Sequence, residues 1–234
     1  MSQHTASRVN DLLIELGTEE LPPKALKKLS EAFTAGIIDG LGKAGFTHSA
    51  VESYASPRRL GVLIKQVPMA QPDREVERKG PSMKAAYDAD GEPTRALEGF
   101  ARSCGVEPDA LEQQETDKGT WLVFRATEQG QALSALIEDI INKSLNRLPI
   151  PKRMRWGNYD AEFVRPVHWL VLMHGDQVID ATVLGVRSSN ATRGHRFHAP
   201  QSISIDEAAG YCAKLENEGF VLADFEQRRQ RIQQ

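Results

Sequence analysis

Cysteine is scarce in this sequence. Cys104 and Cys212 are the only two, far apart and without a CxxC partner, so neither a disulfide framework nor a thiolate zinc site is built in. Long apolar runs are missing as well. The longest, Trp169 to Met173, is too short to cross a bilayer. The polar start, Met1 to Asn10, lacks the apolar region of a secretory signal. A reducing, cytoplasmic setting without a membrane partner is the expectation. No GxGxxG or GxxxxGK[ST] loop is present to cradle phosphates, and no GxSxG elbow presents a nucleophilic serine. Internal repeats, low-complexity tracts and useful heptads are absent too.

An excess of positive charge is also lacking. The 234 residues carry a net charge of −3, which argues against a uniformly basic nucleic-acid coat, and no DNA partner is expected. The distribution is uneven, however. Between Arg147 and His198 eight basic residues stand against four acidic ones, a local +4 that leaves −7 for the rest. A localised basic face fits a phosphate-bearing partner; on charge alone it fits a solvated positive surface equally well.

What is present is an ordinary globular composition, 40% hydrophobic and 26% charged. Asn10 to Gly17 reads as a short buried strand. Pro22 and Pro23 suit the start of a helix, because proline needs no amide partner in the first turn. Ala25, Leu26, Leu29, Phe33, Ile37 and Leu41 then recur at helical spacing, and the glycines around Gly45 end the helix. Strands are expected at Ala50–Ala55 and Arg59–Val67, the second stopped by Pro68. Gln71 to Lys79 reads as an extended connector, and Gly80-Pro81 as a break. Short helices near Ser82–Tyr87 and Thr94–Cys104 flank a turn at 88–91. A hairpin follows, Leu111–Glu115 with Thr120–Thr127, turning at 117–119.

Leu133, Leu136, Ile137, Ile140, Ile141, Leu145 and Leu148 form an amphipathic helix ended by Pro149 and Pro151. Val167 to Met173 is continuously apolar, as in a strand covered on both faces, and Gln177 to Leu184 is expected to pair back after a turn at Gly175-Asp176. A helix at Asp206–Glu218 and a charged one from Asp224 complete the chain. The fold class is α+β, with mixed or antiparallel sheets and packed helices in two subdomains. The expected layout joins 1–79 and 150–222 in one body around an inserted helix–hairpin–helix subdomain at 80–149. The segment 223–234 is expected to begin a helix leading into further domains. A sequential split near 150 is the alternative.

Three segments concentrate chemistry. In Ile14-Glu15-Leu16-Gly17-Thr18-Glu19-Glu20-Leu21-Pro22-Pro23, the paired carboxylates suit acid/base work if their environments differ. Their place just ahead of a helix favours a cap instead, with Thr18 as capping residue. In Pro149 to Gly157, Lys152, Arg153 and Arg155 stand beside Trp156. Such a group can contact phosphates and stack an unpaired base, or Trp156 and Met154 can anchor the core while the cations reach outward. In Asn190 to His198, Arg193, His195 and Arg196 can converge on a phosphate around Gly194. No acidic residue occurs between Ala181 and Ile205, so these cations have no local anionic partner. A metal at His195 and His198 is disfavoured, because carboxylate and cysteine ligands are missing nearby.

At these segments the sequence resembles the β subunit of bacterial two-subunit glycyl-tRNA synthetase. Glu15-Leu16-Gly17-Thr18-Glu19-Glu20-Leu21-Pro22 resembles that family's opening motif. Ser56-Pro57-Arg58-Arg59-Leu60, Lys79-Gly80-Pro81, Lys152-Arg153-Met154-Arg155-Trp156, Phe163-Val164-Arg165-Pro166-Val167-His168-Trp169 and Thr192-Arg193-Gly194-His195-Arg196-Phe197 follow in the family's order. Several motifs in register over nearly the whole chain make the likeness specific. The resemblance implies an α2β2 enzyme that joins glycine to its tRNA with ATP and magnesium. It places the catalytic core on the α subunit and tRNA binding on a longer β subunit. It implies no catalytic residue, metal or cofactor in this part of the chain. Lys152-Arg153-Met154-Arg155 is not the KMSKS loop of class I synthetases, so no ATP site is read from it. Lys152, Arg153, Arg155, Arg165, Arg193, His195 and Arg196 are the candidates for tRNA contact, with Trp156 the candidate for stacking. The α subunit and glycine tRNA are the expected partners.

Overall fold

A computed structural model describes residues 8–88, 90–117, 119–157 and 160–234. Met1 to Ser7, together with Ala89 and Lys118 in the two expected turns at 88–91 and 117–119, lie outside the described residues. Two compact units emerge. One joins the chain up to Gln71 with Gln131–Gln234, and the other is Pro72–Gly130.

The first unit opens with β1 (Val9–Thr18), α1 (Pro23–Lys43), β2 (Val51–Ser56) and β3 (Arg59–Pro68). The second holds β4 (Arg74–Ser82), α2 (Met83–Ala86), α3 (Arg95–Cys104), β5 (Glu112–Thr116) and β6 (Gly119–Glu128). The chain then returns with α4 (Leu133–Asn146), β7 (Met154–Arg155), β8 (Glu162–Phe163), β9 (Val167–His174) and β10 (Gln177–Val178). It ends with β11 (Thr182–Val183), β12 (Val186–Ser189), β13 (Ala191–Arg193), β14 (Ser202–Ser204), α5 (Tyr211–Asn217) and α6 (Phe225–Gln233). The fold is α+β. None of the described helices is long and apolar enough to cross a membrane.

The first unit is built on a mixed sheet in the order β11-β12-β9-β1-β3-β2, with β10 also on β9. β1 lies at its middle, antiparallel to β3 on one side and to β9 on the other, while β12 runs parallel to β9. Both faces of the sheet are covered, so β1 and β9 read as apolar runs. Leu12, Ile14 and Leu16 of β1, with Leu170 and Leu172 of β9, pack against Phe33 and Ile37 of α1 and Ile137 and Ile141 of α4. Leu13, Val171 and Met173 take the opposite face against Tyr211 and Leu215 of α5. The period-2 alternation thus sends neighbouring residues of one strand into two different cores.

The second unit is a three-stranded sheet in the order β4-β6-β5, with a small core of Ala86, Leu97, Ala101, Leu111 and Leu122. Here Arg74–Lys79 of the expected connector and the expected break at Gly80-Pro81 are instead one strand. β4 pairs with β6, and a register shift between Lys79 and Ser82 accommodates the proline, which has no amide to donate. The expected insert, 80–149, therefore differs from this unit at both ends. Its first strand begins at Arg74, and α4 packs into the main core of the other unit.

Two further differences lie near the end of the sheet. Only Gln177–Val178 pairs back on β9. Leu184 and Gly185 then take positive φ values of 50° and 79°, turning β11 into a small hairpin with β12. The helix expected from Asp206 is regular only from Tyr211. The last helix is capped as its sequence suggests, the Asp224 side chain accepting from the Gln227 amide at 2.8 Å.

Candidate functional site

The end of β1 carries a buried carboxylate. Glu15 shares a sheet face with Leu13, and its side chain enters the smaller core rather than water. Its Oε1 accepts from the indole Nε1 of Trp169 and from Thr192 Oγ1, the latter at 2.6 Å. The Oε2 faces Arg59 Nη1 at 3.5 Å. Arg59 opens β3 and is itself buried. It donates through Nε to Ser56 Oγ at 2.9 Å and through Nη2 to the Arg193 carbonyl at 2.5 Å. A charge taken from water needs a partner and further hydrogen bonds to be tolerated; here each group is the other's ion partner, and residues of β2, β9 and β13 hydrogen-bond to Glu15 Oε1 and to Arg59 Nε and Nη2. Burial is the largest influence on Arg59 and works against its charge, but the Glu15 carboxylate and the Tyr211 oxygen together outweigh it and hold the guanidinium above its ordinary pKa. Burial, with Glu15 adding to it, pushes the Tyr211 hydroxyl well above the usual phenol range.

Gly17 makes the indole's place possible. A Cβ there would fall inside the Trp169 ring system, so only glycine at this position lets β9 bring Trp169 across to Glu15. The outer side of the indole carries cations. The guanidinium carbons of Arg58 and Arg193 lie 6.0 and 5.7 Å from its centre, a range in which cation and π-face attract.

One turn further along, Glu19 collects three basic side chains. Arg58 Nη2 lies 3.4 Å from Oε1, His168 Nε2 3.0 Å from Oε1, and Arg196 Nη2 3.1 Å from Oε2. Partial burial favours the neutral acid, yet Arg58, Arg196 and His168 together prevail and hold the Glu19 carboxyl below its usual range. Glu19 is thus an ion-pair hub, and the expected cap is not formed. Pro22 occupies the N-cap of α1 without a side-chain bond, and Thr18 Oγ1 donates to the Glu19 carbonyl at 2.7 Å. The Asn190–His198 segment also finds a carboxylate after all, since Arg196 reaches back to a residue 177 positions earlier.

The eight candidates for RNA contact fall into two groups. Arg165, Arg193, His195 and Arg196 belong to the end of the sheet just described. Arg165 donates to the Glu20 and Val164 carbonyls at 3.1 and 3.0 Å. His195 Nδ1 accepts from the amides of Phe197 and His198, both at 3.3 Å. Lys152, Arg153, Arg155 and Trp156 sit instead where α4 meets β7 and β8. Arg153 Nη2 donates to the Leu145 and Asn146 carbonyls at 3.1 and 3.0 Å. Arg155 pairs with Glu162 at 2.9 Å. Trp156 is half-buried against the larger core, and Lys152 is exposed. Among the described residues no hydrogen bond or ion pair joins the two groups, and no cluster of His, Cys, Asp or Glu could hold a metal ion.

Four of the family-like motifs therefore meet at one place. Glu15–Pro22, Ser56–Leu60, Phe163–Trp169 and Thr192–Phe197 contribute Glu15, Glu19, Arg58, Arg59, Arg165, His168, Trp169, Thr192, Arg193 and Arg196 to one charged end of the sheet. Spacing gave no role to Glu15, Arg59, Trp169 or Thr192. The available signal was a carboxylate inside the apolar run Leu12 to Leu16, which has to find a cation across the sheet.

The profile of the family described as glycyl-tRNA synthetase beta subunit matches residues 12–234. A glycine–tRNA ligase beta subunit from Marinobacter nauticus is 57% identical over 222 residues, covering 95% of this chain and 32% of that protein. Those of Hahella chejuensis and Chromohalobacter salexigens are 53% and 51% identical, covering 96% and 95% of this chain and again 32% of each relative. The chain thus spans about a third of the length of the curated relatives it matches. With the match running through every motif that builds the charged end of the sheet, this chain belongs to the glycyl-tRNA synthetase beta subunit family.

Proposed function

We propose that this chain is the tRNA-supporting and assembly part of a two-subunit glycine–tRNA ligase. In this reading an α2β2 enzyme in the cytoplasm attaches glycine to its tRNA with ATP. ATP and magnesium act through the α subunit, and the residues described here bind and position without performing chemistry. The observation that carries the reading is the family match over 12–234. It is supported by the clustering of Arg58, Arg193 and Arg196 around one carboxylate and an indole, with Arg165 held on the neighbouring Glu20 carbonyl, since clustered guanidinium groups suit phosphate oxygens.

The test is glycine-tRNA binding by the full-length β chain with its α partner at several salt concentrations. Arg193→Ala with Arg196→Ala should weaken binding and flatten the salt dependence, by roughly 0.9 in slope for each phosphate no longer neutralised. Unchanged affinity and slope in a folded complex would remove both residues from the interface.

A second reading has its own support. Arg155 and Arg196 are paired with carboxylates, and Arg153 and Arg165 are tied to carbonyls, as in a module that joins subunits and hardly touches RNA. Under that reading the same double variant loses the α subunit in a pull-down and keeps its affinity for tRNA once assembled.

A further inference from the structure

The turn after β13 and the loop after α5 cross backbone on backbone. Gly194 and Gly219 form the crossing: a Cβ on Gly194 would stand 2.7 Å from the Gly219 Cα, and one on Gly219 would stand 2.6 Å from the Leu215 carbonyl oxygen. The His195 amide closes the crossing by donating to the Gly219 carbonyl at 2.7 Å. Four rings are brought together as a result. The centroids of His195 and His198 are 4.5 Å apart, Phe197 lies 6.2 Å from His195, and Phe220 lies 6.4 Å from His198.

Folding does not account for this group. Phe197 is 81% exposed and Phe220 63% exposed. Phe220 also holds a φ of +52°, a left-handed conformation that disfavours a side chain and usually falls to glycine or asparagine. A large apolar ring kept in water, on a strained backbone, points to use by a partner.

The surrounding charge selects the partner. No carboxylate occurs from Ala181 to Ile205. Arg58 and Arg196 share the single carboxylate of Glu19, and Arg193 has no carboxylate partner among the described residues. Exposed rings interleaved with guanidinium groups are the chemistry of a surface that stacks unpaired bases while cations follow the backbone. We propose that His195, Phe197, His198 and Phe220 form a stacking platform for one or two unpaired bases of an RNA, with Arg193 and Arg196 at its phosphates. The proposal rests on the reading that the assembled protein binds tRNA. It moves the stacking role from Trp156, which packs against the core, to rings that stand in solvent.

The test uses the full-length β chain with its α partner and glycine tRNA. Phe197→Ala removes an exposed ring, and Phe220→Gly removes the other while relieving the positive φ, so both variants should fold and melt as the wild type does. Together they should weaken tRNA binding about tenfold or more, with the salt slope unchanged because every phosphate keeps its cation. Wild-type affinity in this pair, alongside weakened binding in Arg193→Ala with Arg196→Ala, overturns the platform and leaves the tRNA reading standing. Wild-type affinity in both pairs overturns both. Loss of assembly with the α subunit at unchanged tRNA affinity makes the rings a protein contact and likewise overturns the proposal.

Discussion

Glu15 and Arg59 face each other at 3.5 Å inside the first unit, with 0% and 2% of their side chains exposed. Each lies on a different strand of the sheet, and each ties in a further segment. Glu15 accepts from Trp169 and Thr192, while Arg59 donates to the carbonyl of Arg193. The pair therefore couples the position of the Arg193 backbone to the centre of the fold. Arg59→Met should destabilise the chain by about 3–5 kcal/mol, because it leaves Glu15 charged and buried without its cation. Glu15→Gln should cost less, since an amide oxygen can still accept from the indole and the hydroxyl. In urea unfolding the double variant should lose clearly less than the sum of the singles, with a coupling above about 1 kcal/mol. Strict additivity would mean that the two groups do not sense each other.

Gly17 and Trp169 make a steric counterpart to that pair. Gly17→Ala places a methyl group within the indole, and neither the central strand nor the ring has room to yield. Overpacking of this kind costs about 1–3 kcal/mol or more. Trp169→Phe also removes the hydrogen bond to Glu15, so it should be harmful alone. In the Gly17→Ala background, however, it should cost less than it does in the wild type. Thermal melts of the four chains check the sign of this interaction.

The Glu19 hub gives a pH dependence with a definite direction. Its carboxyl is held below the ordinary value of 4.5 in the folded chain. The unfolded chain therefore takes up the proton first as pH falls. The stabilisation from Glu19 is fully present above that ordinary value and is lost as pH drops through the lower, folded one. Melting temperatures of wild type and Glu19→Gln should differ at pH 6 to 7 and converge in the acid range below about 4. The difference should be modest, because Glu19 is 35% exposed and water screens its partners. A gap that widens on acidification would contradict the assignment.

How much of this was written in local sequence depends on the distance over which each feature is decided. α1 and α4 follow from apolar residues at helical spacing, and β9 from its unbroken run Val167 to Met173. All three are decided within one element. The place of α4 is not. Its apolar face would suit either unit, and only its packing against Phe33 and Ile37 chooses the first. Gly80-Pro81 reads as a break because proline lacks an amide, yet a strand tolerates it where a register shift leaves that position unpaired. The charged end of the sheet is the least local feature. Arg196 and Glu19 are 177 positions apart, as are Thr192 and Glu15. The cations of the Asn190–His198 segment look unpartnered in sequence for that reason, and Glu19 looks like a cap when its true neighbours are still unknown.

Arg153 separates the structural from the electrostatic role of a candidate RNA contact. Its Nη2 donates to the carbonyls of Leu145 and Asn146, in the last turn of α4, where carbonyls have no partner within the helix and a cation is favoured. Arg153→Ala removes both the bonds and the charge. It should cost about 1–2 kcal/mol of stability and weaken tRNA binding if the charge lies near phosphate. Arg153→Lys keeps the charge but replaces a planar fork with a single ammonium, which cannot easily span two carbonyls. Stability should therefore fall in the order Arg, Lys, Ala, whereas tRNA affinity should be nearly equal for Arg and Lys and lower only for Ala. If affinity instead tracked the melting temperature through all three, Arg153 would act on RNA only by holding the segment from Pro149 to Gly157 in place.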